Sequence, residues 1–455
     1  MKIQRRCLLF GSLLLTPLGT ICLTTQPSLV HRSVLLVSHR TANIFSPASR
    51  TRLHYRPLEE DDDDTAQLKL QVRAPPGYDV KQAIKEHQQS SAINRPLIRA
   101  LIQNQILILS LATVVCGIVL ISTQGFDALS HLSEIAHWDG GAIVPPGYPS
   151  IVVGIAGAMP LLAISSWVEN SDSRSFANIN FSTIVMAMTL FGRRKAPPNE
   201  FLPDNLKGKN IPTTKVIDAA YQSFVLSLVT GICEETVFRL QVAALFSVLS
   251  GGNVEISLLG QAALFGLGHS QTGTPFTENA IVVGLQCVNG IGFGLIYLTA
   301  GGDIISCIVA HAVYDFVTFF KTWMDANAQV EYAESMYLEP LPQNIESEVR
   351  QVLRSSARSV PIDPQQLKRI KRLFYTFDFD KNKTLSLSEV RKGIAYLALE
   401  RAGQPPPQEV VDKMFRETIN SRDPSIVSRK DKDRLFFSDF IRLYCSFGPR
   451  PALKG

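Results

Sequence analysis

The stretch VIDAAYQSFVLSLVTGICEETVFRLQVAALFSVL, residues 216–249, is apolar over most of its length but carries Glu234, Glu235 and Arg239 near its middle. A helix needs about 20 apolar residues to cross a hydrocarbon layer of about 30 Å, so this run can cross a membrane and then either bend or form two pieces. Charged side chains at membrane depth are costly, and each of these three is therefore a candidate functional residue.

Further apolar runs lie on both sides of this stretch, and several of them approach membrane-spanning length. Arg and Lys residues cluster between positions 193 and 215, and Lys321 follows the last run, which favours six full crossings with the short run Ile184–Phe191 at the interface. We therefore predict an all-α fold, a polytopic helical membrane bundle followed by a small soluble C-terminal domain. The predicted apolar runs are Ile106–Ser122, Ser150–Val168, Ile184–Phe191, Val216–Ile232 continuing to Leu249, Ile256–Gly268, Ala280–Ala300 and Ile304–Phe320.

The composition agrees with a chain of two kinds of segment. The 455 residues are 45% hydrophobic and 19% charged, which is too apolar for an average soluble enzyme and too charged for a chain that lies wholly in a membrane. The net charge of +5 comes largely from the first 58 residues, which contain no Asp or Glu, so no nucleic-acid partner is indicated. The seven cysteines form no CxxC motif and have no zinc-ligand spacing with a histidine, which excludes a disulfide scaffold.

The N-terminal 58 residues have the composition of a targeting presequence. MKIQRR followed by CLLFGSLLLTPLGTICL is typical of a signal peptide, and residues 24–58 are rich in Arg, Ser and Thr without any acid, as in an organelle transit peptide. Together they favour a plastid membrane, with the endoplasmic reticulum or another organelle membrane as the alternative. Residues 59–96 begin with EEDDDD and are predicted to be a polar tail and linker that leads into a membrane domain over residues 97–323.

The polar residues of the membrane domain have an informative spacing. On a helix Glu235 and Arg239 are four residues apart and can pair, whereas Glu234 points about 100° away and has no partner on its own helix. His269 and Asp315 lie four residues after Phe265 and His311 respectively, so three helices can bring their polar groups into one pocket. The alternative is a purely structural polar network, in which burial of so many charges would cost several kcal/mol for each unpaired group. Packing or close helix contact is the predicted role of Phe238, Phe265, Gly290, Gly292 and Gly294.

Three short motifs in these apolar runs resemble those of a known family. EETVFR, FGLGH and HAVYD fit the patterns EExxxR, FxxxH and HxxxB, where B is Asn or Asp, and they occur in that order over residues 213–320. The sequence thus resembles the CPBP (CAAX protease and bacteriocin-processing) family of intramembrane proteases, which includes the CAAX prenyl endopeptidases.

The resemblance implies a role for each motif residue. Glu234 and His269 would activate a water for attack on a peptide carbonyl, His311 and Asp315 would stabilise the oxyanion, and Glu235 with Arg239 would be a structural pair. An ionised Asp315 would repel an oxyanion, so it either keeps its proton through burial or orients His311, and we favour the second role.

Zinc held by Glu234, His269 and His311 is the alternative mechanism. We favour the glutamate mechanism because no HExxH motif lies on one helix.

The sequence DFDKNKTLSLSE, residues 378–389, is typical of an EF-hand calcium loop. Position 6 of the loop, normally Gly, is Lys383, which costs roughly 1–2 kcal/mol if the left-handed geometry is kept. After a linker over residues 324–361, we predict an EF-hand pair over residues 362–447, in which LFFSDFIRLY from Leu435 belongs to a degenerate second hand. The alternative is an acidic loop without calcium. The predicted calcium ligands are Asp378, Asp380, Asn382, Thr384, Ser386 and Glu389.

The leading interpretation is an intramembrane endopeptidase that acts on a membrane-associated peptide or protein in the lipid bilayer and has a calcium-responsive C-terminal domain. The main alternative is a non-proteolytic membrane scaffold or chaperone of the same family. A transporter is less favoured because no inverted repeat is visible. Neither the substrate nor the oligomeric state can be deduced from the sequence.

Overall fold

The computed structural model describes residues 92–125, 148–171, 173–201, 207–270, 276–341, 343–355, 364–400, 406–422 and 433–447. The predicted presequence, residues 1–58, and nearly all of the predicted polar segment 59–96 lie outside the described residues. The described residues are almost entirely helical, which confirms the predicted helical bundle.

Eight α-helices and one π-helical segment make up the described part of the membrane domain. The π-helix, Thr236–Val242, joins α4 to α5 without a break, so that residues 216–250 form one continuous helical rod. The α-helices are α1 (Arg95–Gln124), α2 (Ser150–Asn170), α3 (Arg174–Phe191), α4 (Val216–Glu235), α5 (Ala243–Ser250), α6 (Val254–Gly268), α7 (Phe276–Thr299) and α8 (Ile304–Leu338).

Five of these helical stretches are long and apolar enough to cross a membrane. They are Arg95–Thr123, Ser150–Asn170, Val216–Ser250, Asn279–Thr299 and Ile304–Leu338. The sixth predicted crossing corresponds to α6, whose 15 residues extend only about 22 Å. The short run Ile184–Phe191 forms the second half of α3, whose first half is more polar. Five crossings, rather than the predicted six, therefore reach spanning length among the described residues.

Helix α8 lies at the centre of the bundle and packs mainly against α2 and α4. Small residues allow these contacts, because a Cβ atom added at Gly154 of α2 would lie 2.6 Å from the Ser306 carbonyl oxygen of α8. A Cβ atom at Gly231 of α4 would lie 3.1 Å from the Ile308 carbonyl oxygen. Close backbone approach of this kind is typical of membrane helices that associate through van der Waals packing.

Gly290→Ala on α7 is expected to destabilise the protein by about 1–3 kcal/mol, because the added Cβ atom would lie 2.9 Å from the Ala262 Cα atom of α6. Gly284→Ala on the same helix is the matched control, since a Cβ atom there meets nothing within 4 Å and alanine favours a helix. Thermal unfolding in detergent should give a lower midpoint for the first variant and an equal or higher midpoint for the second. Equal midpoints would contradict tight packing between α6 and α7.

Helix α8 continues well beyond the last apolar run. Its residues 324–338 fall within the predicted linker and are helical, and most of the remaining described linker forms α9 (Gln343–Ser355). The physical reason is that Trp323, Ala326, Ala333 and Met336 keep a buried apolar face on α8 although the average hydropathy falls after Phe320.

The C-terminal domain consists of two helix–loop–helix units packed on the end of α8. The strands β1 and β2 pair in antiparallel orientation with Leu385 opposite Leu435, and they join the two units. Ala333 and Met336 of α8 belong to the same apolar core as Phe374 and Leu385, which fixes the domain to that helix. Its elements are α10 (Pro364–Phe377), β1 (Leu385–Ser386), α11 (Leu387–Glu400), α12 (Gln408–Asn420), β2 (Arg434–Leu435) and α13 (Phe437–Phe447).

Candidate active site

Glu235 and Arg239 lie where α4 changes into the π-helix, and they form a fully buried ion pair. The Arg239 Nε atom is 2.9 Å from Glu235 Oε2, with 1% and 0% of the two side chains exposed. The guanidinium lies over two aromatic rings, 5.3 Å from the Phe265 centroid and 5.5 Å from the Phe293 centroid. Arg239 thus lies in a short π-helix, and such segments are often found at functional sites.

His311 of α8 is held by the same glutamate. Its Nδ1 atom lies 2.6 Å from Glu235 Oε1, and because a carboxylate only accepts, Nδ1 carries the proton. Its Nε2 atom consequently faces two other carboxylates, Asp315 Oδ2 at 3.5 Å and Glu234 Oε2 at 3.8 Å. The Phe293 ring stacks on the imidazole with centroids 4.6 Å apart. The shortest contact of His311 is thus made by Glu235, while Asp315, which the sequence spacing predicts to orient His311, lies 3.5 Å from its Nε2 atom.

His269 ends α6 and has its own fixed orientation. Its Nδ1 atom is 2.8 Å from the Phe265 carbonyl oxygen, so Nδ1 donates to that oxygen and Nε2 keeps a lone pair when the ring is neutral. The imidazole packs against the Phe265 ring with centroids 4.7 Å apart. A histidine in this tautomer can accept a proton from a water in the cavity.

Glu234 is held by a neutral amide and not by a close ion pair. Its Oε1 atom accepts a 2.9 Å hydrogen bond from Gln105 Nε2 of α1, and 14% of its side chain is exposed. Sequence reasoning missed Gln105, which immediately precedes the predicted apolar run from Ile106. Its only sequence signal was its polarity next to that run.

A cavity of about 1170 Å³ unites these residues. Glu234, His269, His311 and Asp315, the four predicted catalytic residues, all contribute to its wall. The cavity also extends to the C-terminal domain, where Phe379, Lys392 and Tyr396 line it. Two further polar residues to which the sequence analysis gave no role, Asn289 of α7 and Tyr314 of α8, line the same space, with Asn289 Nδ2 3.4 Å from Tyr314 Oη. The arrangement offers water a carboxylate and an imidazole as bases.

The three predicted zinc ligands do not fit a preformed metal site. Among the described residues, one group of three His, Cys, Asp or Glu side chains has ligand atoms within 4.8 Å of one another, and it is Asp378, Asp380 and Glu389. Both histidines donate from Nδ1 to protein oxygens, which leaves their Nε2 atoms as the ring nitrogens open to another partner, but with Glu234 these atoms do not form a group within that distance. We therefore derive no step of the chemistry through zinc.

The loop between α10 and α11 gathers Asp378, Asp380 and Glu389. The backbone N–H of Phe379 donates to Glu389 Oε1 at 2.9 Å, and the N–H of Ser386 donates to Glu389 Oε2 at 2.8 Å, so this carboxylate holds both ends of the loop. Of the other predicted ligands, Asn382 donates its N–H to Asp378 Oδ1, and Thr384 donates its N–H to Asn382 Oδ1.

The backbone of this loop keeps the left-handed geometry that position 6 requires. Lys383 has φ +64°, and Lys381 has φ +60°. Both conformations are costly for a residue with a Cβ atom, by about 1–2 kcal/mol each. The loop therefore holds an unfavourable backbone conformation, and its three carboxylates converge.

In the second helix–loop–helix unit the equivalent carboxylate pairs with an arginine. Since Leu435 pairs with Leu385, Asp439 stands where Glu389 stands in the first unit. Asp439 forms a 2.5 Å ion pair with Arg422, and burial raises the pKa of its carboxyl although the guanidinium acts in the opposite direction. The predicted second loop, SRKDKD at residues 428–433, lies outside the described residues except for Asp433.

Comparison with known proteins gives one family. Residues 217–317 match the family described as type II CAAX prenyl endopeptidase Rce1-like. The match runs from the start of α4 into α8 and so includes all four predicted catalytic residues. No curated protein and no solved structure matches the chain significantly. The five apolar helices and this family match together indicate an integral membrane protein.

Proposed function

We propose that the protein is an intramembrane endopeptidase of the CAAX type, which hydrolyses a peptide bond of a membrane-associated substrate. The observation that carries this proposal is the cavity among apolar helices that is lined by Glu234, His269 and His311. Ionisable side chains that face a cavity among membrane-spanning helices are costly to bury and are therefore a candidate functional site by default. The family match over residues 217–317 supports the same class of reaction.

In the proposed mechanism a water between Glu234 and His269 attacks the carbonyl carbon of the scissile peptide. Glu234 accepts one proton from this water. The Nε2 lone pair of His269 orients the water or takes the proton from Glu234 afterwards. The carbonyl oxygen gains the negative charge of the tetrahedral intermediate. The carbon–nitrogen bond then breaks, and the proton passes to the leaving amine, so that the products are a carboxylic acid and an amine.

His311 is suited to stabilise the oxyanion. Its Nδ1 proton is directed to Glu235, so Nε2 can donate only when the ring is an imidazolium. Asp315 lies 3.5 Å from that Nε2 atom and balances the positive charge when no substrate is bound. A hydrogen-bond donor directed at the oxygen that gains negative charge is among the largest contributions to such a reaction.

The proposal can be tested with the purified full-length protein in liposomes. The substrates are a farnesylated peptide that ends in a CAAX sequence and the same peptide without the prenyl group, and mass spectrometry detects the released tripeptide. Release from the farnesylated peptide supports the proposal, whereas release from neither peptide by the folded protein contradicts it. Activity that is lost on strong chelation and restored by zinc would overturn the metal-independent mechanism.

We also propose that the loop of Asp378, Asp380 and Glu389 binds calcium as part of an EF-hand. The convergence of three carboxylates within 4.8 Å of one another supports it, and calcium prefers oxygen ligands of this kind. The other ligands would come from Asn382, Thr384 and Ser386 of the same loop.

Glu389→Gln is expected to weaken calcium binding by at least about tenfold, since the bidentate carboxylate at the last loop position would be lost. Glu409→Gln, in the exposed first turn of α12, is the matched control and should bind calcium as the original protein does. Isothermal titration of the detergent-solubilised full chain with calcium measures both. If the original protein produces no binding heat, or if Glu389→Gln binds equally well, the calcium site is disproved.

Calcium regulation is proposed because α8 connects the two sites. The helix carries His311 and Asp315 near one end, and farther along it Tyr332 Oη donates a 2.6 Å hydrogen bond to Asp378 Oδ2. Gln329 on the same helix donates to the carbonyl oxygens of Tyr375 and Asp378 at 2.9 and 2.8 Å. Calcium at Asp378 would therefore act on the C-terminal part of α8, whose N-terminal part carries His311 and Asp315 of the candidate active site. Cleavage by the original protein should differ between calcium and a calcium-selective chelator, and Glu389→Gln should remove that difference.

The presequence supports a further proposal, that the protein resides in a plastid membrane. Residues 1–58 combine an apolar signal-like start with an acid-free, Arg-rich stretch. A fluorescent protein fused after residue 58 should enter the plastid in cells of the source organism, and accumulation in the endoplasmic reticulum instead would contradict this location.

A further inference from the structure

We propose that Gln105 of α1 is a positioning residue for Glu234, an inference that rests on the proposed endopeptidase function. Its side-chain amide donates a 2.9 Å hydrogen bond to Glu234 Oε1 across a separation of 129 residues. Helix α1 lies outside residues 217–317, so neither the family match nor the three motifs assign a role to it.

The two oxygens of Glu234 have different surroundings. Oε1 is held by Gln105, whereas Oε2 lies 3.8 Å from His311 Nε2. The distance from Oε2 to that nitrogen is too long for a direct hydrogen bond, so Oε2 is the oxygen that remains available to a water. By holding one oxygen, Gln105 fixes the rotamer that directs the other towards the cavity.

A second polar contact joins α1 to the π-helix. Gln241 Nε2 in the π-helix donates a 2.7 Å hydrogen bond to Thr113 Oγ1 of α1. Thr113 follows Gln105 by eight residues, slightly more than two helical turns, so both side chains lie on the face of α1 that contacts α4 and the π-helix. Both hydrogen bonds thus join this face of α1 to the helical rod of residues 216–250, and the one from Gln105 reaches Glu234.

Removal of this hydrogen bond should affect the chemical step more than substrate binding. A base that is displaced by a fraction of an ångström, or that samples several rotamers, meets its water less often in a reactive geometry, and misplacements of about 1 Å can cost about 100-fold. Gln105 itself does not need to touch the substrate. Its loss should therefore appear in kcat rather than in KM.

The test compares Gln105→Leu with Thr113→Val in liposomes with the farnesylated CAAX peptide. Gln105→Leu should lower kcat by about 10- to 100-fold, with KM unchanged within about twofold. Thr113→Val, which removes the hydrogen bond between α1 and Gln241, should keep kcat within about twofold. Thermal unfolding midpoints show that both variants are folded. An unchanged kcat in Gln105→Leu, an equal loss in Thr113→Val or a change confined to KM would overturn the inference.

Gln105→Glu provides a second readout that a merely structural role would not produce. This substitution places a carboxyl group against Glu234, and two adjacent carboxyl groups share one proton at low pH. The hydrogen bond is then restored on the acidic side, so the optimum of kcat should move to lower pH, and an unchanged pH profile would argue against the positioning role.

If the original protein cleaves no peptide, the proposed endopeptidase function has failed together with this inference, whereas an active original protein with an equally active Gln105→Leu contradicts the inference alone.

Discussion

Glu234→Gln is expected to reduce peptide cleavage by about 10²- to 10⁴-fold while the protein remains folded and inserted in the membrane. The amide has nearly the same shape as the carboxylate, and its oxygen can still accept the hydrogen bond from Gln105. It cannot take a proton from water at neutral pH, so the proposed general base is lost. The measurement is the initial rate of tripeptide release in liposomes, with the thermal unfolding midpoint determined on the same preparation.

The matched control is Glu255→Gln, which removes a carboxylate from the exposed first turn of α6. It should cleave as the original protein does, and this shows that a change of net charge alone does not explain the loss. Full activity of Glu234→Gln would refute the assignment of the base. If the original protein were inactive and Glu234→Gln still performed the cellular function of the protein, the polar cluster would be structural, as in a scaffold or chaperone.

The bundle could be predicted from the sequence because an apolar run of about 20 residues is typical of a membrane-spanning helix. The runs starting at Ser150, Val216 and Ile304 coincide with the starts of α2, α4 and α8. The far end of α8 could not be predicted in this way, since hydropathy averages over both faces of a helix. Beyond Phe320 the apolar face of α8 is covered first by the membrane domain, at Trp323, and then by the C-terminal domain, at Ala333 and Met336.

Within the candidate site, the spacing of residues predicted contacts along one helix but not contacts between helices. The interval of four residues places Arg239 beside Glu235, as the structure also shows. The same interval places Asp315 Oδ2 3.5 Å from His311 Nε2, whereas the shorter contact, 2.6 Å to Nδ1, comes from Glu235 on another helix, 76 residues away. Gln105 lies farther still from Glu234 in the sequence. A single sequence contains no signal for such tertiary contacts, because neither the approach of two helices nor their rotation is encoded in periodicity.

Glu235→Gln, unlike Glu234→Gln, is expected to destabilise the fold, with a loss of about 3–5 kcal/mol in the free energy of unfolding. Glu235 is fully buried and contacts both the Arg239 guanidinium and His311 Nδ1. The substitution would leave the arginine charge buried without its carboxylate, and one amide oxygen cannot replace two charged oxygens. We expect a lower thermal unfolding midpoint in detergent and reduced accumulation in membranes.

The double variant Glu235→Leu with Arg239→Leu separates the ion pair from the rest of the site. Replacement of both charges by apolar residues removes the desolvation cost along with the attraction, so the double variant should be more stable than Glu235→Gln and closer to the original protein. It should nevertheless cleave poorly, because His311 would lose the contact that fixes its orientation. Glu417→Gln in α12 breaks an exposed pair with Lys413 and should change neither stability nor cleavage. If Glu235→Gln is as stable as the original protein, Glu235 does not stabilise the buried Arg239 charge. If the double variant retains full activity, Glu235 does not position His311.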